Sequence, residues 1–187
     1  MVQRKLRGVT IECTRGNIAH QPDVDAIVNA ANAELRSGGG VAGAIHSAAG
    51  PGLEKECRSF APIQPGRAVI TGAHALPNRY VIHCLGPVYG RDEPADELLA
   101  ACYRNALRLA AQDNVRSIAF PAISTGSFGY PLEPAAELAV TAVVQSVLQA
   151  RAPVVTLIRF VLFDAHGEQV FSSAIERRVP QVEAPQP

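Results

Sequence analysis

The sequence predicts a layered α/β domain built on a largely parallel sheet, and three observations carry that prediction. Short β-like runs are separated by segments whose apolar residues recur at helical spacing. The helical segments are long enough to cross back over a sheet, as parallel strands require. The chain has 187 residues with 48% hydrophobic and 18% charged residues, the size and composition of one domain with a real core.

Val9, Ile11 and Cys13 alternate and read as a half-buried first strand. Ala26–Asn29 is a short apolar run, read as a strand covered on both faces. Further strands are expected over Arg67–Gly72, Arg79–Cys84, Ser117–Pro121 and Val155–Phe163. Leu99, Cys102, Tyr103, Ala106, Leu107 and Ala110 form one helical stripe, and Ala136, Val140, Val143, Val144 and Val147 form another. Pro131 and Pro134 suit the start of the second helix. A helix is also expected from about Val41, followed by a helical stretch holding Glu54 and Glu56. Residues 1–178 read as a single domain, and Val179–Pro187, with three prolines and no apolar period, reads as a disordered tail.

Charge and cysteine usage exclude several functions. Seventeen Lys and Arg balance seventeen Asp and Glu, with no basic block, so phosphate neutralisation along a nucleic acid is disfavoured. Aromatic residues at 5% leave few stacking platforms for single strands. Cys13, Cys57, Cys84 and Cys102 are too dispersed for a C-x-x-C motif, and the five histidines add no ligand spacing, so no metal is expected. Reduced thiols, no leader-like apolar stretch after the basic N-terminus and no bilayer-length run point to a cytoplasmic protein away from membranes.

Chemistry concentrates in two stretches without Asp, Glu, Lys or Arg, Ser37–Leu53 and Ser117–Leu132. The first contains Gly38-Gly39-Gly40-Val41-Ala42-Gly43, and the second contains Ser124-Thr125-Gly126-Ser127-Phe128-Gly129-Tyr130. Glycines leave successive backbone N–H groups uncovered, and a helix beginning nearby adds its positive end. Two such loops suit a diphosphate, although ordinary strand-to-helix turns use glycine in the same way. Gly38, Gly40 and Gly43 spell G-x-G-x-x-G, but Ala30–Ser37 separates them from the preceding strand and no acidic residue closes a second strand. A Walker A lysine is missing as well. Just upstream, Asn29 and Asn32 stand at the C-terminal end of the buried strand, where α/β sheets bind ligands. Both amides suit sugar hydroxyls, and both equally suit capping a strand end or a turn.

In this order, Arg15–Ile18, Ala26–Asn32, Gly38–His46, Tyr80–His83 with Gly86-Pro87, and Phe120–Pro131 resemble the macro domain family of ADP-ribose-binding modules. The resemblance runs from about Val9 to Arg177 and is greatest to the bacterial branch of O-acetyl-ADP-ribose deacetylases and mono-ADP-ribosyl hydrolases. It implies a three-layer α/β/α sandwich with a central mixed, largely parallel sheet. It also implies an ADP-ribose site: Asn17 and Ile18 at the adenine, Asn32 facing the distal ribose, and Gly39, Gly40 and Val41 on the diphosphate and distal ribose, with Asn29 as a further ADP-ribose-binding candidate. Ser124, Thr125, Gly126, Ser127 and Phe128 would close the other side, with the Phe128 ring on the distal ribose. Implied partners are ADP-ribose, ADP-ribosylated proteins and O-acetyl-ADP-ribose, with no cofactor.

Two departures from the family pattern bear on function. The aspartate usual at the adenine is Asn17, whose amide oxygen is expected to accept from the exocyclic amine without charge assistance, costing about 1 kcal/mol. The deacetylase branch pairs an aspartate with a histidine one helical turn on; here the pair is Ala42 and His46. Without that carboxylate, His46 and Asn32 remain as candidate catalytic residues, and the expected activity is slow hydrolysis of ester-linked ADP-ribose. The alternative is a reader module that binds and does no chemistry.

Overall fold

The structure is a computed structural model that describes residues 2–180. In chain order it contains β1 (Val2–Leu6), β2 (Val9–Arg15), β3 (Ala26–Ala30), α1 (Gly40–Ala49), α2 (Pro51–Cys57), β4 (Ala68–Gly72) and β5 (Tyr80–Cys84). These are followed by α3 (Ala95–Gln112), β6 (Ser117–Phe120), α4 (Leu132–Gln149), β7 (Leu157–Leu162) and α5 (Ala165–Arg178). The seven strands form one sheet in the order β1-β2-β7-β6-β3-β5-β4. The five inner strands run parallel, while β1 and β4 are antiparallel edges.

Side-chain alternation sorts the core into two layers. In β3, Ala26 and Val28 join the cluster formed with α3, α4 and α5, whereas Ile27 joins the cluster under α1 and α2. All four residues Ala26–Asn29 are fully buried, as a strand covered on both faces requires. The expected α/β/α sandwich with a mixed, mainly parallel sheet is therefore observed. On the larger side, Tyr103, Phe120, Phe160 and Phe171 pack in a chain, with successive centroids 5.2, 6.1 and 5.1 Å apart. The Tyr103 hydroxyl accepts from the Ile123 N–H at 3.4 Å, which ties this core to the loop after β6.

Two elements lie outside the sequence reading. The strand expected to be first is β2; β1 precedes it and pairs with it from Val2↔Cys13 to Leu6↔Val9. Its Gln3, Arg4 and Lys5 interrupt the apolar pattern, because an edge strand with one open face need not hide them. Arg7 and Gly8 both have positive φ (49° and 82°), the two-residue turn that matches strand twist. The Arg7 guanidinium then donates to the carbonyls of Leu148 at 2.7 Å and Ala150 at 2.9 Å, at the C-terminal end of α4. The second missed element is α5, whose buried face is only Gly167, Phe171, Ala174 and Ile175. Its start is fixed by Asp164, whose Oδ1 accepts from the Gly167 N–H at 2.7 Å. Of the tail expected from Val179, Val179 itself is buried against the core and its N–H reaches Ile175 O at 2.9 Å. Residues 181–187 lie outside the described residues.

Candidate functional site

The C-terminal ends of the inner strands open into a cleft made of two connected cavities of about 520 and 260 Å³. Gly40, Val41, Ala122 and Gly126 line both and form the junction between them. The larger cavity continues to Gly16, Asn17 and Ile18 after β2, and to Phe163, Asp164 and Gly167 at the start of α5. The smaller is lined by Ala30, Ala31, Gly39, Gly86, Ile123, Ser124, Ser127 and Phe128.

Three helices begin at this cleft. The residue before α1 is Gly39, which has no side chain to cap the first-turn N–H groups, and the Gly38–Gly40 approach is held by glycine alone. Gly40 has φ 56°, and a Cβ on Gly43 would stand 2.3 Å from the Gly38 carbonyl oxygen, so both positions need glycine. Leu132 opens α4 behind Pro131, again without a side-chain cap, and Gly167 lies in the first turn of α5. The first turns of α1 and α4, without side-chain caps, and of α5, capped by Asp164, thus line a cleft whose smaller part has no ionisable side chain among its described lining residues. Asp164 is the one ionisable residue lining the larger part. The second loop is held open from beneath: Thr125 Oγ1 donates to Ala122 O at 2.9 Å, and Ser124 takes φ 67°. A Cβ on Gly86 would lie 2.1 Å from Ser124 Oγ, so glycine there makes room for the buried hydroxyl.

The site residues expected from sequence separate into those on the cleft and those behind it. Asn17, Ile18, Gly39, Gly40, Val41, Ser124, Thr125, Gly126, Ser127 and Phe128 line it together. Asn29 does not. It is fully buried behind the cleft, with its Nδ2 3.1 Å from His83 Nδ1 and its Oδ1 without a hydrogen-bond partner among the described residues. His83 Nε2 in turn sits 3.0 Å from Thr71 Oγ1 and 3.6 Å from Cys57 Sγ. Desolvation pushes the His83 pKa down to about 3, with the nearby His46 ring adding in the same direction. Asn32 is used locally: its Nδ2 donates to Arg36 O at 2.8 Å and its Oδ1 accepts from Arg36 N–H at 3.0 Å. That amide closes the turn leading into the glycine loop and stands beside Gly38. His46 is buried in α1 and lines a separate cavity of about 280 Å³ with Ser37, Ser47, Gly50, Pro51 and Glu54. Burial lowers its pKa, opposed by Glu54, and among the described residues neither ring nitrogen has a partner.

On the adenine side, Asn17 Oδ1 accepts from the Ala19 N–H at 2.9 Å, which leaves Nδ2 as the donor of this amide. Sequence reasoning also missed Phe163, which is 92% exposed at the mouth of the larger cavity, and Asp164 beside it. The available signal was the -Leu162-Phe163-Asp164- ending of β7, where an apolar run overshoots the strand by one residue before a helix cap. Among the described residues, no group of three or more His, Cys, Asp or Glu is placed to hold a metal ion. No helix is long and apolar enough to cross a membrane.

Residues 28–139 match the macro domain family. A macro domain-containing protein of Cupriavidus necator is 45% identical over 171 residues, spanning 89% of this chain and 97% of that protein. Another from Caldanaerobacter subterraneus is 46% identical, spanning 89% and 95%. Among solved structures, the Oceanobacillus iheyensis macrodomain with ADP superposes with a TM-score of 0.89 at 36% identity, covering 94% of this chain and 95% of that one. The Trypanosoma brucei macrodomain in complex with ADP-ribose gives 0.82 at 38% identity, covering 88% and 68%. The chain belongs to the macro domain family.

Proposed function

We propose that this protein binds ADP-ribose in the two-part cleft and slowly hydrolyses ester-linked ADP-ribose, either on Asp or Glu side chains or as O-acetyl-ADP-ribose. The observation that carries the reading is the junction at Gly40, Val41, Ala122 and Gly126, an uncharged waist between two cavities made by the N-terminus of α1 and the loop after β6. A diphosphate placed there meets backbone dipoles from both loops, and the two cavities accept the groups on either side. Relatives solved with ADP and with ADP-ribose support the same ligand. Base and proximal ribose enter the larger cavity near Ile18 and Phe163, while the distal ribose enters the smaller one beside Phe128.

The smaller cavity orients a ribose, but none of its lining residues is titratable. Rate enhancement there comes from fixing water and ester in line and from N–H groups facing developing negative charge. A missing general base lowers such rates by about 10²–10⁴-fold, which is why turnover is slow. Asn32 acts as a positioning residue by holding the 32–36 turn against the glycine loop. The same lack of a titratable group favours a second reading, a module that only binds.

Calorimetry with ADP-ribose, ADP and AMP tests the binding claim; equal affinity for AMP and ADP-ribose would overturn it. Incubating stoichiometric protein with an aspartate-linked mono-ADP-ribosyl peptide tests the chemistry. Release of label that Asn32→Ala diminishes supports hydrolysis, and retention of all label on the peptide leaves the binding module.

A further inference from the structure

The polarity of the base end is set by one backbone hydrogen bond. Asn17 lies in the turn after β2 and lines the larger cavity. The Ala19 N–H points at its side chain from 2.9 Å and requires an acceptor, which only the amide oxygen can supply. Turning the amide over would place donor against donor. The turn itself is pinned, because Asn17 O accepts from the His20 N–H at 3.0 Å and from Gln21 Nε2 at 3.0 Å. With Oδ1 turned to the Ala19 N–H, Nδ2 is the hydrogen-bond donor that this amide keeps for a ligand.

Asp164 also lines this cavity, and its Oδ1 accepts from the Gly167 N–H at 2.7 Å in capping α5. Around them the wall is apolar, with Ile18, Leu132 and Phe163. A base seated on that wall loses water at its edge, so an unmatched polar pair there is costly.

We infer that Asn17 is a specificity-determining residue that offers a hydrogen-bond donor to the base edge and so admits 6-oxopurines, such as hypoxanthine, at least as well as adenine. Adenine presents an amine at C6, which meets the Asn17 amine donor to donor. A 6-oxopurine presents acceptors at both C6 and N7. The substrate class widens from adenine nucleotides to purine nucleoside diphosphate sugars. The inference rests on the proposed nucleotide reading of the cleft.

The test measures ADP and IDP affinities by calorimetry for the wild type, Asn17→Asp and Asp164→Asn. Asn17→Asp keeps an oxygen for the Ala19 N–H, so the turn is preserved, and it turns the outward atom into a charged acceptor. The expected result is wild-type IDP binding equal to or tighter than ADP, with the ratio moving about tenfold toward ADP in Asn17→Asp. A clear wild-type preference for ADP overturns the inference while leaving the nucleotide site standing. A ratio that responds to Asp164→Asn and not to Asn17→Asp overturns it too, because the amine is then read from α5. Failure of the wild type to bind either nucleotide removes the site reading itself.

Discussion

Phe163 leaves 92% of its surface in water, an apolar exposure on the wall of the larger cavity. A base laid against the ring recovers it, and stacking of this kind contributes about 1–3 kcal/mol. Phe163→Ala should therefore weaken ADP-ribose binding by about 10–100-fold, while the melting temperature stays put because the ring supports no packing. Calorimetry beside a thermal melt checks both halves. His83 makes the opposite bargain. Its folded pKa is pushed down to about 3, so the folded state keeps it neutral where the unfolded chain takes up a proton. Above the ordinary value of about 6.5 neither state is protonated and the residue adds no pH dependence. Below it the unfolded state binds more protons, and stability falls by about 1.4 kcal/mol per pH unit as pH drops toward the folded value. His46, shifted in the same direction, steepens that slope. Urea unfolding at a series of pH values between about 4 and 8 should show this loss, and His83→Gln should flatten it. Asn29 and Asn32 also show what a sequence leaves open at this scale. Both stand where a ligand-binding amide belongs, yet one faces the distant His83 and the other bonds the backbone of Arg36 four residues on, and the residue types alone do not distinguish those uses.

Among elements, the loop before α1 is the most constrained. Alanine at position 43 would drive its Cβ to 2.3 Å from a carbonyl oxygen of the same loop, a contact that no side-chain rotation relieves. Gly43→Ala should push Gly38–Gly40 out of line and cost about 1–3 kcal/mol of stability, with ADP-ribose affinity falling more than that of any surface variant. Thermal melts and calorimetry on the same preparation would show it. Both glycine loops were legible because their chemistry is backbone chemistry, and the sequence of small, uncharged residues is the direct record of backbone left uncovered. The central strands and the long helices α3 and α4 were legible for a related reason, since burial on two faces or along one stripe leaves a periodic mark. Edge strand β1 and terminal helix α5 leave weaker marks. Each meets the core along one narrow face, and the charges on their open sides dilute the period.

Over the whole molecule, formal charge sums to zero and no Lys or Arg is among the described residues lining the cleft, so the proposed ligand would be held by peptide dipoles. Mobile ions screen exposed side-chain charges, but they do little to dipoles fixed at the mouth of helices. ADP-ribose affinity should consequently change by less than about threefold between roughly 50 and 500 mM salt, measured by calorimetry. A steep decline would mean that surface cations, not the loops, carry the phosphates. The layered architecture followed from the alternation of strand and helix signals, whereas the join between the two cavities did not, because it brings Gly40 and Val41 together with Ala122 and Gly126 from two separate connections of the sheet. The guanidinium of Arg7 has its own bearing on how far the molecule can be trimmed. It stitches the opening hairpin to the last turn of α4, and that hairpin's second strand leads directly into the Gly16–Ile18 wall. Clipping the chain between β1 and β2 would bare the carbonyls of a distant helix and slacken one jaw of the nucleotide cleft in the same cut, so the smallest unit able to grip a ligand begins well upstream of residue 28.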